Sequence, residues 1–453
     1  MNEEQRQASE EQAKEEYDQV KQGIEKTRKP ARKKREKNTR MELPADLPRQ
    51  EVVIHPSHDL ADYIKVGEDV TEVLEITPPA FYVKRITYTK WMKKTPTSVD
   101  SESTTHFLSA LAPLCTITGG IFGDSLLAYL VIGKFVDHLP LYRQIKIFER
   151  LGVHLAASTV SDAIAAVCRL LEPLYNSLKR EVLANKYIQA DETGIKVQDR
   201  DKPGACHSGF FWAYHAPVAG LVLFDYQKGH NAEAAATILT GFQGVLQTDG
   251  LAVYHTLFKD NPNVTLAACM AHVRRKFDEA VGYDAVRAKH VVGEIAKLYE
   301  VEKKIRENPQ LTELEICQLR LLEASPVLDK LKSYLVEEYG NVLPSSPIGK
   351  AIAYTLKLWD KLTVYLYHGQ LLIDNNGVEN VIRPIALRRK NFLFAGSHSA
   401  AQNAAMLHSF LGSCQHNNLN PHEWLSDVLT KLNSTDYEGK FSDLLPNRWK
   451  KQG

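Results

Sequence analysis

The chain lacks the cysteine pairs that mark small metal-bound or disulfide-bonded modules. No Cys-x-x-Cys pair is present, and the six cysteines are scattered at Cys115, Cys168, Cys206, Cys269, Cys317 and Cys414. Closely spaced thiol pairs are typical of zinc ribbons, and a regular even set is typical of secreted disulfide frameworks. The scattered pattern argues against both kinds of module and fits a reducing compartment.

Long hydrophobic runs are also missing. The N-terminus is polar and acidic, without the apolar segment of a signal peptide. The longest uncharged stretch, 107–123, contains Pro113, Gly119 and Gly120, a composition that predicts a loop rather than a membrane helix. We therefore expect a cytoplasmic protein that acts without a membrane.

Charge of one sign is not in excess over the whole chain, because 56 Lys and Arg offset 55 Asp and Glu to a net charge of +1. The charges are unevenly placed, however. Residues 26–40 read KTRKPARKKREKNTR, with nine basic residues and one acid. We predict a disordered basic arm over 1–45, for which nucleic-acid contact is the commonest functional use and plain solvation is the alternative.

The first half of the chain divides by composition into two further regions. Residues favoured in strands predict a small β-rich module over 46–95. Helical patterns predict a helical region over 96–186, in which Gly152 marks a turn between two helices. This region is compatible with a helix-turn-helix that reads DNA or with a plain helical bundle.

From residue 187 the pattern changes to α/β. Short apolar runs bounded by Gly, Asp and Pro predict five strands, at 187–190, 210–214, 221–224, 244–248 and 266–270. Helices are predicted between and after the later strands, at 231–239 and 271–280. The strand-rich part is predicted to form one α/β core.

A long helical stretch interrupts this core. Apolar residues recur at helical spacing over 284–367, including Val291, Ile295, Leu298, Ile305, Ile352, Leu356 and Trp359, and we predict that they form a core of their own. The first part of the α/β core therefore covers 187–283 and the second part 368–415. A C-terminal segment follows at 416–453.

Three acidic residues, far apart in the chain, are placed where carboxylates can meet. Asp191 and Asp249 each close an apolar run, and Glu379 lies on a predicted helix. Carboxylates from two strand ends and a helix can hold a pair of divalent ions, which activate a water or hydroxyl and stabilise the leaving oxygen in phosphodiester chemistry. Mg²⁺ and Mn²⁺ prefer such oxygen ligands. We predict these three acids as catalytic and metal-binding residues for two Mg²⁺ or Mn²⁺ ions.

Each acid alone has a plainer interpretation. Asp191 can end its strand in an Asx turn, and Asp249 precedes Gly250 in a common turn pair. Glu379 can be a solvated helix residue. Glu192 and Asp374 are alternative carboxylates for the same site.

Basic residues in two segments suit a polyanionic substrate. We predict eight DNA-contacting residues: Arg383, Arg388, Arg389 and Lys390 after the third acid, and His272, Arg274, Arg275 and Lys276 after the second. Arg fits phosphate through a bidentate fork, and Lys acts as a point charge. A solvated basic face and an ordinary structural histidine are the alternatives. Cys269 and His272 alone cannot close a zinc site, so no zinc is expected. We expect Asn376 to cap the helix that bears Glu379.

At these residues the chain closely resembles the insertion sequence 66 family of bacterial transposases. The resemblance runs from about residue 44 to the end, and the segment around Glu379 is long and specific. The matching segments are SLLAYLVIGKFVDHLPLYRQIKIFERLGVHLAASTVSDAI at 125–164, YIQADETGIKV at 187–197, GVLQTDGLAVY at 244–254, ACMAHVRRKFDEA at 268–280, IDNNGVENVIRPIALRRKNFLFAGS at 373–397 and LLPNRW at 444–449.

The resemblance implies a fold and a substrate. It implies an RNase H-like catalytic core, with a mixed five-stranded sheet and a helical insertion before the Glu, and a DDE triad on Asp191, Asp249 and Glu379. It also implies DNA as substrate, namely the terminal inverted repeats of a mobile element and the target DNA. Accessory proteins encoded by the same element are possible partners. A homo-oligomer on DNA is expected because two ends must be joined.

The chain departs from the family pattern near its N-terminus. Relatives carry a cysteine-rich, zinc-finger-like segment before the sequence that resembles residues 67–85. Here the corresponding segment reads HPSHDLADYIKV at 55–66, and no cysteine precedes Cys115. The β-rich module is thus expected to bind no zinc, which puts its part in recognising element ends in doubt.

The sequence as a whole predicts a metal-dependent DNA transposase that cuts at element ends and transfers strands into target DNA. Two other interpretations stay open. One is a catalytically inactive, domesticated DNA-binding protein that retains the fold, and the other is a metal-dependent nuclease that makes no strand transfer.

Overall fold

The computed structural model describes residues 80–85, 90–92, 107–109, 116–117, 120–199, 202, 204–434 and 437–451. The chain forms two compact units, Met1–Phe107 and Leu108–Gly453. The predicted basic arm lies outside the described residues, as does most of the predicted β-rich module. In the first unit, residues 80–85 form neither helix nor strand, and strand β1 spans Lys90–Met92. A second short strand, β2, spans Phe107–Ser109 within the predicted loop.

Three helices occupy the described part of the predicted helical region. They are α1 at Asp124–Phe135, α2 at Leu141–Arg150 and α3 at Ala157–Leu183. The α3 helix buries one face completely, because its buried apolar residues recur every three or four positions: Val160, Ile164, Val167, Leu171, Leu174, Leu178 and Val182. The chain turns between α2 and α3 at Gly152, which has a φ of 83° that favours glycine.

The predicted five strands form one mixed sheet. They are β3 at Tyr187–Gln198, β4 at Cys206–Ala216, β5 at Leu221–Gln227, β6 at Gly244–Thr248 and β7 at Val264–Ala268. The strand order is β5-β4-β3-β6-β7. The first three strands pair antiparallel, whereas β3–β6 and β6–β7 are parallel. The predicted α/β class with a five-stranded mixed sheet is confirmed.

The sheet is covered on both faces, which explains the continuous apolar runs of its antiparallel half. Phe211 and Trp212 are adjacent in β4, point to opposite faces and are both fully buried. At the β5 edge, the hydroxyls of Ser409 and Ser413 accept hydrogen bonds from the backbone N–H groups of Phe224 at 2.7 Å and Val222 at 2.9 Å. These serines satisfy donors that an edge strand leaves without a ladder partner.

Short helices connect the strands of the parallel half. They are α4 at Ala232–Leu239, α5 at Ala252–Phe258 and α6 at Met270–Ala280. Helix α4 begins where predicted, because the Asn231 side chain accepts a hydrogen bond from Ala234 N at 3.0 Å. Helix α5 was not predicted, since it is short and lies directly after the Asp249-Gly250 turn.

The predicted helical insertion consists of helical segments with their own apolar core. They are α7 at Ala285–Glu307, α8 at Glu313–Leu319, a π-helical turn at Arg320–Ala324, α9 at Ser325–Tyr339, α10 at Pro347–Lys357, α11 at Trp359–Leu362 and a 3-10 turn at Val364–Tyr367. Of the predicted core residues, Val291, Ile295, Leu298, Ile352 and Trp359 are buried, and Ile305 and Leu356 are partly buried against them. This core also includes Phe277 of α6, so the insertion packs directly on the α/β core.

Three helices complete the described chain. They are α12 at Asn376–Arg388, α13 at His398–His416 and α14 at Pro421–Leu432, followed by a 3-10 turn at Phe441–Leu444. The indole N–H of Trp424 donates to Leu444 O at 2.9 Å and fastens the C-terminal segment to α14. Within the described ranges, the helices are all too short or too polar to span a lipid bilayer.

Candidate active site

The parallel pair of β3 and β6 places two aspartates side by side. Gln189 is opposite Gln247 in this pair, and Asp191 and Asp249 each follow two residues later. Side chains alternate along a strand, so Asp191 leaves the sheet on the same side as Gln189. The sequence prediction that Asp191 ends its strand is wrong, because β3 continues to Gln198 by pairing with β4. Pairing of β3 with β6 nevertheless stops at Gln189, so β3 is not paired with β6 at Asp191.

Asp249 lies in the turn that follows β6. Its carboxylate accepts a hydrogen bond from Leu251 N at 2.9 Å, and Gly250 adopts a φ of 95°. The hydroxyl of Tyr354, in the helical insertion, donates to the Asp249 carbonyl at 2.5 Å. The turn interpretation of the Asp-Gly pair is therefore correct, and the same turn directs the Asp249 carboxylate beside Asp191.

Helix α12 brings the third acid to the same place. Glu379 stands in the first turn of α12 and faces α6. Arg275 Nη2 lies 3.2 Å from one Glu379 carboxylate oxygen, and His272 Nε2 lies 3.5 Å from the other. The helix itself starts at Asn376, and the carboxylate of Asp374 accepts a hydrogen bond from Asn376 N at 3.1 Å. The prediction that Asn376 caps the helix is wrong, because Asn376 is the first helical residue and the cap position is Asn375, whose side chain makes no capping bond.

The three acids share one electrostatic environment. Burial raises the pKa of Asp191 to about 7, and the negative charges of Glu192, Asp249 and Glu379 add to the effect. Asp191 and Glu379 line an open cleft of about 380 Å³ together with His272, Arg275 and Arg383. Carboxylates from β3 and α12 thus face the same solvent space, and the Asp249 carboxylate is close enough to act on Asp191.

The carboxylates of the site are of the kind that bind a divalent cation, but they do not lie close enough together to coordinate one. Among the described residues, no three His, Cys, Asp or Glu side chains lie close enough together to hold a metal ion. The physical reason is that Glu379 turns towards Arg275 and His272. A hard cation among these oxygens would relieve the repulsion that raises the pKa of Asp191. The residues therefore fit Mg²⁺ or Mn²⁺ if Glu379 exchanges its partners.

Both alternative carboxylates already have partners. Asp374 accepts a hydrogen bond from the Tyr299 hydroxyl at 2.9 Å, in addition to that from Asn376. Glu192 lies 3.0 Å from His230 Nε2, whose ring stacks on Phe210. The other Glu192 oxygen is buried and has no hydrogen-bond partner among the described residues. Burial raises the pKa of Glu192. Its charge acts on Asp191, so Glu192 is the alternative carboxylate that lies closer to the site.

The structure separates the predicted DNA-contacting residues into three sets. His272, Arg275 and Arg383 line the cleft. The flanking side chains of the second set are exposed: Arg274 pairs with Asp278 at 3.6 Å, Lys276 lies 4.7 Å from the Tyr354 ring, Arg389 donates to the Thr193 hydroxyl, and Lys390 is on the surface.

Arg388 alone forms the third set, because it is buried. Its guanidinium lies 2.9 Å from His408 Nε2 and packs on the rings of Phe211 at 5.6 Å and Phe392 at 5.2 Å. Burial lowers the pKa of Arg388 to about 10. In this arrangement its guanidinium is not available to a phosphate, and it instead fixes the end of α12 on the sheet.

Residues outside the predicted set also belong to the site. Gln189, Gln247 and Tyr187 are buried and polar, and they join the two strands to the segment that leads into Glu379. A signal for them exists in the sequence, since Gln-x-Asp occurs at 189–191 and again at 247–249. A buried strand position occupied by Gln instead of an apolar residue is uncommon and indicates a hydrogen-bond network.

Comparison with known proteins identifies the family. Residues 119–403 match the family model described as Transposase IS66 family, and residues 409–447 match the IS66 C-terminal element. Among similar proteins of Sinorhizobium fredii, Uncharacterized protein y4jD is 31% identical over 429 residues, covering 90% of this chain and 81% of the relative. Uncharacterized protein y4hP is 30% identical over 445 residues, with 92% and 78% covered. The chain therefore belongs to the Transposase IS66 family.

Proposed function

We propose that the chain is the DNA transposase of a bacterial insertion sequence, which cuts DNA at the terminal inverted repeats of its element and joins the freed ends to target DNA. One observation carries the proposal. Asp191 of β3 and Glu379 of α12 line one cleft, whose other lining residues include His272, Arg275 and Arg383. Asp249, in the turn after β6, lies near enough for its charge to act on Asp191. Membership of the Transposase IS66 family supports DNA transposition as the reaction at this cleft.

The sheet topology supports an RNase H-like core as the catalytic domain. Three antiparallel strands are followed by two parallel ones, and the first strand in sequence, β3, is central. The aspartates stand on β3 and directly after β6, and the glutamate follows the helical insertion on α12. We propose residues 187–283 and 368–415 as the two parts of this core, with 284–367 as the insertion.

The three acids would serve together in the proposed reaction. Asp191, Asp249 and Glu379 would hold two Mg²⁺ or Mn²⁺ ions. When bound, such a pair supplies an activated water or hydroxyl and stabilises the leaving oxygen. Because its pKa is raised to about 7, Asp191 carries a proton below that pH and must lose it before it can bind a metal ion.

The reaction proceeds in two phosphoryl transfers. Water attacks the phosphodiester at the element end, and the break leaves a 3′-hydroxyl. That hydroxyl then attacks a phosphodiester of the target, so that one bond forms as another breaks. Arg275 and Arg383 stand where they can bind the phosphate in the cleft. No covalent link between protein and DNA is required, because the nucleophile is a water or a DNA hydroxyl in each step.

DNA contacts extend beyond the cleft. We propose that the exposed Arg274, Lys276, Arg389 and Lys390 bind backbone phosphates on either side of it. The basic arm over 1–45 would add salt-dependent affinity. The protein would act on the nucleoid as an oligomer that holds two element ends, with accessory proteins of the same element as possible partners.

The test is an assay of cutting and joining by the purified protein with Mg²⁺ and labelled DNA that carries the element end. Asp191→Asn, Asp249→Asn and Glu379→Gln should each lose both activities. Asp278→Asn is the matched control, since Asp278 is an exposed acid on α6 that pairs with Arg274 outside the cleft. Undiminished cutting by any of the three variants would refute the assignment. Cutting without joining would indicate a nuclease, and end binding without cutting would indicate an inactive DNA-binding protein.

A further inference from the structure

Two buried glutamines connect all three acids of the proposed triad. Gln189 is fully buried and Gln247 is 1% exposed. They face each other in the parallel pair of β3 and β6, each two residues before an aspartate. Their amide groups lie close together, with Gln189 Nε2 3.0 Å from Gln247 Oε1. The hydroxyl of Tyr187 donates to the same Gln247 oxygen at 2.6 Å and completes the cluster.

Gln189 makes hydrogen bonds to two backbone groups at the start of α12. Its Nε2 lies 2.9 Å from the carbonyl oxygen of Asp374, and its Oε1 accepts a hydrogen bond from Val378 N at 3.2 Å. A carbonyl can only accept and an amide N–H can only donate, so these two partners fix the orientation of the Gln189 side chain. Val378 is adjacent to Glu379, so the bond holds the backbone beside the third acid.

His215 also makes a hydrogen bond to Gln189. Its Nδ1 lies 3.2 Å from Gln189 Oε1, which can only accept, so Nδ1 carries the proton. Burial lowers the pKa of His215 to about 3. The ring is therefore neutral throughout the physiological range, and its contact with Gln189 does not vary with pH there.

Gln247 holds the same segment a few residues earlier. Its Nε2 donates to the carbonyl of Leu372 at 2.8 Å, and Leu372 N donates to the Tyr187 hydroxyl at 3.3 Å. The backbone over 372–378 is thus attached to the two strands at four points, all of them through side chains of β3 and β6. Few of its polar groups are left to the solvent.

Gly377 shows how close this contact is. A β-carbon at position 377 would lie 2.5 Å from Gln189 Oε1 and 2.9 Å from His215 Nδ1. Gly377 stands in the first turn of α12, where its backbone has ordinary helical geometry. Its lack of a side chain is therefore required by the approach of Gln189 and not by a turn.

We propose that Gln189 and Gln247 are positioning residues that set the distance between Glu379 and the two aspartates. The inference rests on the proposed function, because it assigns these glutamines to the same metal-binding triad. Gln189 precedes Asp191 by two residues on β3, Gln247 precedes Asp249 by two residues at the end of β6, and both glutamines bind the segment that leads into Glu379. The paired strands therefore hold the backbone beside Glu379 and so position its carboxylate. Removing a partner that orients metal ligands typically weakens metal binding or activity about 10–100-fold.

The experiment measures Mn²⁺ affinity of the DNA-free full-length protein by calorimetry, with circular dichroism and thermal unfolding to check the fold. Gln189→Met keeps the side-chain length and removes both amide groups, and Gln247→Met does the same for the second glutamine. The matched control is Gln144→Met, because Gln144 is also fully buried and donates to two backbone carbonyls, those of Leu130 and Leu139, away from the site.

We expect Gln189→Met to weaken Mn²⁺ binding by about 10-fold or more and Gln144→Met to leave it unchanged. In a Glu379→Gln background, Gln189→Met should have no additional effect, since its role is to place Glu379. Wild-type affinity in a folded Gln189→Met protein would overturn the proposal. An equal loss in both backgrounds would overturn it too, because it would show a structural effect that does not pass through Glu379.

A second variant keeps the test decisive if the methionine variants do not fold. Gly377→Ala favours helix formation, but its β-carbon fits only if Gln189 or the start of α12 moves, which disturbs the contact between them. It should weaken Mn²⁺ binding as Gln189→Met does, and unchanged binding would contradict the positioning role. The two proposals fail differently. If Asp191→Asn binds Mn²⁺ as tightly as wild type, the triad itself is refuted. If Asp191→Asn weakens Mn²⁺ binding and Gln189→Met does not, only the positioning role is refuted.

Discussion

Arg275 and Glu379 form an ion pair across the cleft, with 3.2 Å between Nη2 and a carboxylate oxygen. The pair joins helix α6 to helix α12, and His272, one turn earlier on α6, lies 3.5 Å from the other oxygen. The acid proposed as the third metal ligand thus contacts two residues that are proposed to contact DNA. A bound cation would compete with Arg275 for Glu379, and a bound phosphate would compete with Glu379 for Arg275.

The first prediction concerns this exchange. Arg275→Gln should tighten Mn²⁺ binding to the DNA-free protein by roughly two- to fivefold, because a half-exposed ion pair that competes with the metal contributes about 0.2–1 kcal/mol. The same change should weaken DNA binding and reduce the slope of log affinity against log salt by about one unit. Calorimetry with Mn²⁺ and a salt series of DNA-binding measurements would check the two effects.

Arg274→Gln is the control for the metal measurement. Arg274 is also an exposed arginine on α6, but it pairs with Asp278 and not with Glu379. Its replacement should leave Mn²⁺ affinity unchanged. If both variants altered Mn²⁺ binding to the same extent, the effect would come from overall charge and the competition between Arg275 and the metal would be disproved.

The second prediction concerns the pH dependence of metal binding. The pKa of Asp191 is raised to about 7 by burial and by the neighbouring acids, so below that pH the metal must displace a proton. The affinity for Mn²⁺ should therefore rise with pH by up to about tenfold per unit below pH 7 and level off above it. Calorimetric titrations between about pH 5.5 and 8.5 would measure the change.

Glu192→Gln gives this prediction a sharper form. Glu192 is the neighbouring carboxylate with the largest charge effect on Asp191, and the amide keeps its size. Removing the charge lowers the pKa of Asp191, so the midpoint of the affinity curve should move to lower pH. A curve that is flat in the wild-type protein, or a midpoint that moves to higher pH in the variant, would contradict the assignment.

Much of the fold follows from local sequence signals. Strand β6 begins and ends where predicted, because Gly244 and the Asp249-Gly250 turn bound its apolar run. Strand β3 was predicted to end at residue 190 but continues to Gln198. Its second half alternates the buried Ile195 and Val197 with the exposed Lys196 and Gln198, a strand pattern that the prediction did not use. The polar residues 191–194 before it are in a strand because they pair with β4, and such tertiary pairing leaves no local pattern in the sequence.

The site was predictable to a similar degree. The two aspartates were predicted because each closes an apolar run, and Glu379 because it precedes a basic segment. The burial of Arg388 was not predicted, since an arginine is usually exposed. A pattern for it exists, because Arg388 continues the buried stripe of Val378, Val381 and Ile385 at helical spacing. The long side chain reaches His408, which only the folded protein brings near.

The third prediction concerns the buried ion pair of the helical insertion. Arg320 is 1% exposed and makes two hydrogen bonds to Glu302, at 2.7 and 2.8 Å. Its guanidinium also donates to backbone carbonyls of Tyr365, His368 and Leu371 at 2.9–3.0 Å. Arg320→Met should destabilise the protein by about 3–5 kcal/mol, because it leaves the Glu302 charge buried without a partner. Urea unfolding followed by circular dichroism would measure the loss.

Lys304→Met is the matched comparison for Arg320→Met. Lys304 pairs with Glu323 at 2.6 Å in the same insertion, but its side chain is more than half exposed. An exposed pair contributes about 0–1 kcal/mol, so this variant should unfold close to the wild-type midpoint. Equal destabilisation by the two variants would mean that burial does not set the strength of these pairs.

The fourth prediction concerns a group of buried basic side chains beneath the end of α12. Lys134 of α1 is half-buried near Arg388, and burial followed by the Arg388 charge lowers the pKa of Lys134 to about 8. In the unfolded chain this amine has a pKa of about 10.4. Between these values the unfolded state binds the extra proton, so this group's contribution to the free energy of unfolding increases as pH rises from about 8 to 10.4.

Lys134→Met removes the charge and keeps the aliphatic chain. Below pH 8 the folded wild-type protein bears the cost of a charged, partly buried amine, so the variant should be more stable by about 1–3 kcal/mol at pH 7. The advantage should shrink as pH rises through 8 and vanish near 10.4, where the amine is neutral in both states. Urea unfolding of both proteins at pH 7, 8.5 and 10 would follow the difference. An advantage that stays constant with pH would show that packing, and not the buried charge, separates the two proteins.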